Sequence, residues 1–136
     1  MRKTQIHEFD PVIYPYKLWI IVNKTPISIA DNYFEHDGKE IKLLDLDTKN
    51  MDAFAMMVSR KSDKAFGVVV YFRAKKSMTY EIVAHESSHA AKHLFEYIGA
   101  DVKEHEPFEY VIGWIANCCD IVRRFNKNNK NQSKNE

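Results

Sequence analysis

The order of hydrophobic and polar positions divides the chain into a strand-rich first part and a helical last part. Residues 16–22 are mainly apolar, aromatic or β-branched, which predicts a strand. The stretches 53–59 and 66–73 have the same character and flank the polar residues 60–64. This arrangement predicts a β-hairpin.

Two shorter signals lie between the predicted strands. Thr25 followed by Pro26 is typical of a helix start, because threonine caps free backbone N–H groups and proline needs no donor in the first turn. We therefore expect a short helix over 26–35. The Asp-Gly pair at 37–38 predicts a turn, followed by a loop or a short strand over 41–46.

From residue 78 onward, the apolar positions recur at helical spacing and predict two long helices. The first ends before Gly99, a common C-terminal stop, and the second begins near Pro107. The polar tail over 126–136 is expected to be disordered. The apolar face of the first predicted helix consists of Val83, Ala90, Leu94 and Ile98. That of the second consists of Phe108, Val111, Ile115, Cys118, Cys119 and Val122.

These elements predict the fold class. Because the strands cluster before residue 75 and the helices follow it, we expect an α+β fold in which a small antiparallel sheet packs on two long helices. A length of 136 residues suits one domain, which we place at 1–125 with 126–136 as its tail.

Composition narrows the classes of function. Hydrophobic residues make up 45% and charged residues 29% of the chain, and no apolar run has the length of a signal peptide or a membrane span. A soluble, cytoplasmic protein with no membrane partner is expected. The adjacent Cys118 and Cys119 cannot join distant parts of a fold by an ordinary disulfide, which suits a reducing compartment. A net charge of +1 argues against a nucleic-acid partner.

The first long helix contains the sequence His85-Glu86-Ser87-Ser88-His89. Residues four apart lie on one face of a helix, roughly 6 Å apart along its axis, so both imidazoles can reach one metal ion. Catalytic zinc takes three protein ligands and a water molecule, which a nearby carboxylate can deprotonate. The spacing predicts a Zn²⁺ site with two histidine ligands and Glu86 as general base.

A third ligand has to come from elsewhere in the chain. A further histidine six residues after His89 is excluded, because that position is Phe95. Glu106 on the next helix shares its face with Gly113, and a glycine inside a helix suggests close approach by another backbone. We therefore predict Glu106 as the third ligand, with Glu109 as the alternative.

Three other polar residues lie near the motif or near these carboxylates. His93 is eight residues from His85, roughly 12 Å along the helix axis, so it is not expected to bind the same ion. His105 and Tyr110 are candidates to stabilise an oxyanion, although a loop histidine and a helix-packing tyrosine are the alternative descriptions.

Four segments together resemble small phage- and prophage-encoded zincin-like proteins of unassigned role. They are Tyr-Pro-Tyr-Lys-Leu-Trp at 14–19, the strand end and loop at 72–79, the motif at 85–89, and the helix start at 106–114. The resemblance implies a minimal zincin-like domain over 1–125. In gluzincin-like metallopeptidases a glutamate on the helix after the motif completes the site, and the matching position is Glu106. If the chain is phage-encoded, its location is the host cytoplasm.

Two classes of function compete at this point. The first is a zinc metallopeptidase that hydrolyses peptide bonds, acts on a peptide or protein substrate, and lines its cleft with the strand over 66–73. The alternative is a non-catalytic phage morphogenesis or interaction protein with a structural zinc and a phage or host protein partner.

Overall fold

The computed structural model describes residues 5–11, 15–42, 52–100, 103 and 105–125, and does not describe the side chains of Gln5, His105 and Glu106. The expectations for most of 41–46 and for the tail 126–136 therefore lie outside the described residues. In chain order the elements are β1 (Gln5–Phe9), β2 (Lys17–Val22), α1 (Ile27–Asn32), β3 (Tyr33–Glu35), β4 (Ala53–Arg60), β5 (Phe66–Phe72), a 3₁₀ turn (Lys75–Ser77), α2 (Tyr80–Ile98) and α3 (His105–Arg124).

The five strands form one sheet in the order β1-β2-β5-β4-β3. The α+β class with two long helices is confirmed. The expectation of an antiparallel sheet is wrong at one pair, because β2 and β5 run parallel while the other three pairs run antiparallel. The long connection from β2 through α1, β3 and β4 allows the chain to return beside β2 in the same direction.

The sheet has a hydrophobic cluster on each face, because successive side chains of a strand point to opposite sides. One cluster lies under α2 and α3, where α2 packs on β4 and β5 and α3 reaches β2. The other lies under α1 and contains the buried Trp19 and Tyr33. The strand residues under the long helices are Leu18, Ile20, Ala53, Val68, Val70 and Phe72.

Two predicted boundaries are wrong, and two strands, β1 and β3, were not predicted. α1 ends at Asn32, because residues 33–35 form β3 and pair with β4 instead of continuing the helix. Thr25 does not cap α1, whose N-cap is Pro26 with no side-chain hydrogen bond. The short strand β1 has too few apolar residues to show a clear alternation. The hairpin of β4 and β5 is confirmed.

Gly67 in β5 is required by close packing between β5 and β2. A Cβ atom built on Gly67 would lie 2.3 Å from the carbonyl oxygen of Lys17 and 2.6 Å from the Trp19 ring. The missing side chain lets the largest residue of the α1-side cluster lie flat on the sheet, which fixes β2 against β5.

Candidate metal centre

The helix α2 begins and ends at residues that favour those positions. The Thr79 hydroxyl accepts a hydrogen bond from the Ile82 backbone N–H at 3.2 Å, as an N-cap residue does. Gly99 at the other end has φ +70°, the left-handed conformation of a helix C-cap, as the sequence predicts. Between these caps the helix is a regular scaffold of 19 residues for the His85-to-His89 motif.

His85 and His89 lie together on the solvent-exposed face of α2. Their Nε2 atoms are 3.1 Å apart, and their ring centroids are 4.7 Å apart. Two Zn–N bonds of about 2.0–2.1 Å at a tetrahedral angle place the two nitrogens about 3.3 Å apart. The two side chains are therefore arranged as a pair that can bind one ion.

Glu86 differs from the two histidines in being buried, with 8% of its surface exposed. Burial raises the pKa of its carboxyl group, while His85 and His89 act in the opposite direction. The neighbouring Ser87 is fully buried at the contact with α3. The motif thus spans the border of the core, with its histidines in solvent and its carboxylate partly withdrawn from water.

The Cys119 thiol on α3 lies on the inner side of the motif. Burial raises its pKa to about 12; the Ser87 hydroxyl lowers it and the Glu86 carboxylate raises it. Ser87 makes no hydrogen bond of good geometry within the described residues. Both cysteines are free and buried, so they act as small packing residues behind the motif.

β4, and not β5, supplies a strand edge beside α2. The expectation that 66–73 lines a cleft with an open edge is wrong, because β5 pairs with β2 on one side and β4 on the other. β3 pairs only with residues 58–60 of β4. No strand of the described residues covers the outer side of 53–57, where the backbone groups of Ala53, Ala55 and Met57 point away from β5.

Two side chains of α2 hold the helix against β4. The Tyr97 hydroxyl donates a hydrogen bond to the Val58 carbonyl at 3.1 Å. Burial lowers the pKa of the His93 imidazole, and the nearby backbone of Ala55 acts in the opposite direction. The Nδ1 atom of His93 makes no hydrogen bond within the described residues. Because His89 is one turn before His93, the metal-binding pair lies near the start of β4.

The register of α2 and α3 bears directly on the third ligand. The centroids of the Phe95 and Phe108 rings are 5.3 Å apart. This contact places the first turns of α3 beside the C-terminal part of α2. Glu106 precedes Phe108, and His89 lies six residues before Phe95. The Glu106 backbone is therefore roughly 12 Å from His89 along the helix axes. The assignment of Glu106 as a ligand stays a prediction, and this register argues against it.

The other predicted site residues of α3 share the same turns. Glu109 and Tyr110 are exposed, and Tyr110 has 75% of its surface in solvent. The side chain of His105 is outside the described residues. Gly113 is exposed, and nothing lies within 4 Å of a Cβ built on it, so the predicted close approach of another backbone at this glycine is wrong within the described residues.

Sequence reasoning missed the part of α3 that lies level with the pair. α2 continues for nine residues after His89, so a returning helix needs about as many residues to come back to the same level. That count points to the middle of α3, near Trp114 and Asn117, and the proximity of Ser87 to Cys119 agrees with it. Asp120 forms ion pairs with Arg123 at 2.5 Å and Arg124 at 3.0 Å.

Within the described residues, no group of three or more His, Cys, Asp or Glu side chains is arranged to hold a metal ion. Two imidazoles are thus in place within the described residues, which do not include the side chains of His105 and Glu106. In the described part of the chain, no helix combines the length and apolar character needed to cross a membrane. Comparisons with family models, curated proteins and solved structures found no match.

Proposed function

We propose that the protein is a zinc-dependent peptide hydrolase in which His85 and His89 bind the ion and Glu86 is the general base. The observation that carries this proposal is the 3.1 Å separation of the two Nε2 atoms on an exposed helix face. A bound zinc ion would supply a polarised water molecule at neutral pH. Glu86 is adjacent in sequence and partly desolvated, which suits a carboxylate that accepts a proton from that water.

Within the described residues, no strand covers the outer side of 53–57 in β4, and this half-edge supports a peptide as the substrate class. An extended peptide can add to a sheet edge through main-chain hydrogen bonds, and the outward groups of Ala53, Ala55 and Met57 offer such partners. His93 and Tyr97 hold this edge beside α2. A peptide paired with the first half of β4 would therefore run past the helix that carries the histidine pair.

The alternative of a non-catalytic protein with a structural zinc has less support. An ion held by His85 and His89 would join two residues of the same helix, while both hydrophobic clusters are already closed by apolar side chains. The resemblance to phage zincin-like proteins, a phage or host protein partner and a cytoplasmic location rest on the sequence motifs and belong to the same proposal.

Metal content tests the ligand assignment. We expect the wild type to retain zinc after dialysis, and His85→Ala and His89→Ala to lose it, because each variant leaves one imidazole. His93→Ala is the matched control, since it removes an imidazole from the same helix but not from the pair. Equal zinc loss in all three variants would reject the assignment.

Hydrolysis tests the role of Glu86 separately from binding. Glu86→Gln is expected to keep zinc and to abolish cleavage in a broad peptide screen, because the amide cannot accept the proton. Glu106→Ala and Glu109→Ala measured side by side test the two predicted third ligands by whether either of them releases the metal. The hydrolase proposal is wrong if three results occur together. The wild type binds zinc, no substitution of an acidic residue alters zinc retention, and no peptide is cleaved.

A further inference from the structure

A groove separates the N-terminal turns of α2 from the C-terminal half of α3. Its volume is about 380 Å³, and its floor is apolar. The floor consists of Met78, Val83, Ala84 and Ala116. On α2 these residues lie on the side facing α3, so the groove is separate from the exposed face that carries the histidine pair.

Tyr80 stands at the rim of this groove with 87% of its surface exposed. The guanidinium of Arg123 lies 5.8 Å from the centre of its ring, across the groove. An exposed aromatic ring beside an apolar hollow is typical of protein interaction sites, where tyrosine and arginine are enriched. The folded core does not require Tyr80 to be there, because the ring packs on no buried cluster.

The segments that form the groove carry an excess of positive charge. Residues 75–84 and 116–124 together hold four cationic side chains and two carboxylates. One carboxylate, Asp120, is shared by two arginines. Lys75 donates a hydrogen bond to the Phe125 carbonyl at the end of α3, which brings the basic turn 75–77 to the same end of the molecule. The cations are Lys75, Lys76, Arg123 and Arg124, and the carboxylates are Glu81 and Asp120.

We propose that this groove docks an acidic protein segment that inserts one large aliphatic or aromatic side chain. The apolar floor provides the pocket for that side chain, and the basic rim complements acidic residues on either side of it. A nucleic acid fits less well, because the apolar floor suits a hydrophobic side chain and offers no partner to a sugar–phosphate backbone. The proposal is independent of the hydrolase activity.

Fluorescence anisotropy with the full chain tests the pocket and the charge separately. The probe is a fluorescein-labelled peptide, Gly-Glu-Glu-Leu-Glu-Glu-Gly. Replacement of its leucine by serine is expected to weaken binding about tenfold or more, because burial of one aliphatic side chain contributes at least about one decade of affinity. Replacement of its glutamates by lysine is expected to abolish binding, and added salt to weaken it.

Matched variants locate the site on the protein. Tyr80→Ala is expected to weaken binding of the leucine peptide, whereas Tyr110→Ala, at another exposed tyrosine on α3, leaves it unchanged. Lys76→Glu is expected to weaken binding, whereas Lys92→Glu changes the net charge equally on another part of the exposed surface and has little effect. All four positions are exposed, so none of these variants should prevent folding.

Several results would overturn the proposal. Equal affinity for the leucine and serine peptides would mean that only non-specific charge attraction is present. Equal effects of Tyr80→Ala and Tyr110→Ala would place the binding elsewhere. Displacement of the peptide by a single-stranded oligonucleotide at lower concentration than by unlabelled peptide would favour nucleic acid, and dimers that vanish on Tyr80→Ala would favour a second copy of the chain.

Discussion

The two contacts that hold α2 in place differ in chemistry. Its contact with α3 is made largely of buried apolar or small side chains, among them Phe95 against Phe108 and Ser87 against Cys119. Its contact with β4 combines apolar packing in the same cluster with a hydrogen bond from the Tyr97 hydroxyl to the Val58 carbonyl. The first contact therefore depends largely on buried apolar surface, whereas the second adds a polar contact that positions β4 beside the helix.

Removing the aromatic contact with α3 should have the largest effect. Phe95 has 1% of its surface exposed, so Phe95→Ala is expected to lower the free energy of unfolding by about 3–5 kcal/mol. Tyr110→Ala also deletes an aromatic ring on the helical layer, but from an exposed position, and should cost no more than about 0.5 kcal/mol. Urea unfolding measures both. Similar losses of unfolding free energy in the two variants would contradict the distinction between the buried α2–α3 contact and the exposed surface of α3.

Removing the hydroxyl of Tyr97 should have a smaller effect. Tyr97→Phe deletes the hydrogen bond to the Val58 carbonyl and keeps the ring that stacks on Tyr16 at 4.6 Å. We expect a loss of about 0.5–1.5 kcal/mol in the same unfolding experiment. Faster amide exchange at Phe54 and Met56 in Tyr97→Phe than in the wild type, with β5 unchanged, would show that the contact anchors β4; unchanged exchange there would contradict that role.

Gly113 provides a test on the outer surface of α3. Because nothing lies within 4 Å of a Cβ at this position, Gly113→Ala should raise the free energy of unfolding by about 0.5–1 kcal/mol through helix propensity alone. Gly67→Ala is the opposing control, since its Cβ would collide with Lys17 and Trp19. A loss of stability in Gly113→Ala would show that another group does approach this glycine.

The smallest effect at neutral pH concerns His93, because it appears only on acidification. Burial lowers the pKa of His93 below 6.5, against the favourable charge of Glu96 and with further lowering by His89 and Lys92. The folded state therefore binds the proton less readily than the unfolded state, and stability present above pH 6.5 is lost as the pH falls towards the folded pKa.

Unfolding at pH 7.5 and pH 5.5 checks this expectation, with the pH values chosen on either side of about 6.5. His93→Gln should reduce the loss of unfolding free energy between pH 7.5 and pH 5.5 without removing it. His7, whose pKa burial and then Lys75 also lower, contributes in the same direction, so His7→Gln is the matched variant. Identical pH profiles for wild type and His93→Gln would contradict the buried, neutral state of His93.

The sequence by itself determined the features that depend on neighbouring residues. The hairpin of β4 and β5, the two long helices and the Gly99 stop follow from local periodicity and turn chemistry. The pairing of His85 with His89 follows from helix geometry, since residues four apart must share a face. These features needed no knowledge of what packs against them.

Only the tertiary structure decided the relations between elements. The sequence could not show that β5 is an inner strand, or that β3 pairs with only residues 58–60 of β4, because an edge depends on which strands arrive on either side. Nor could it set α3 against α2, because the register is fixed by the Phe95–Phe108 contact and the burial of Cys119, not by spacing along either helix. Glu106 was chosen for its helix face, yet whether a carboxylate reaches a metal depends on the level at which the two helices meet.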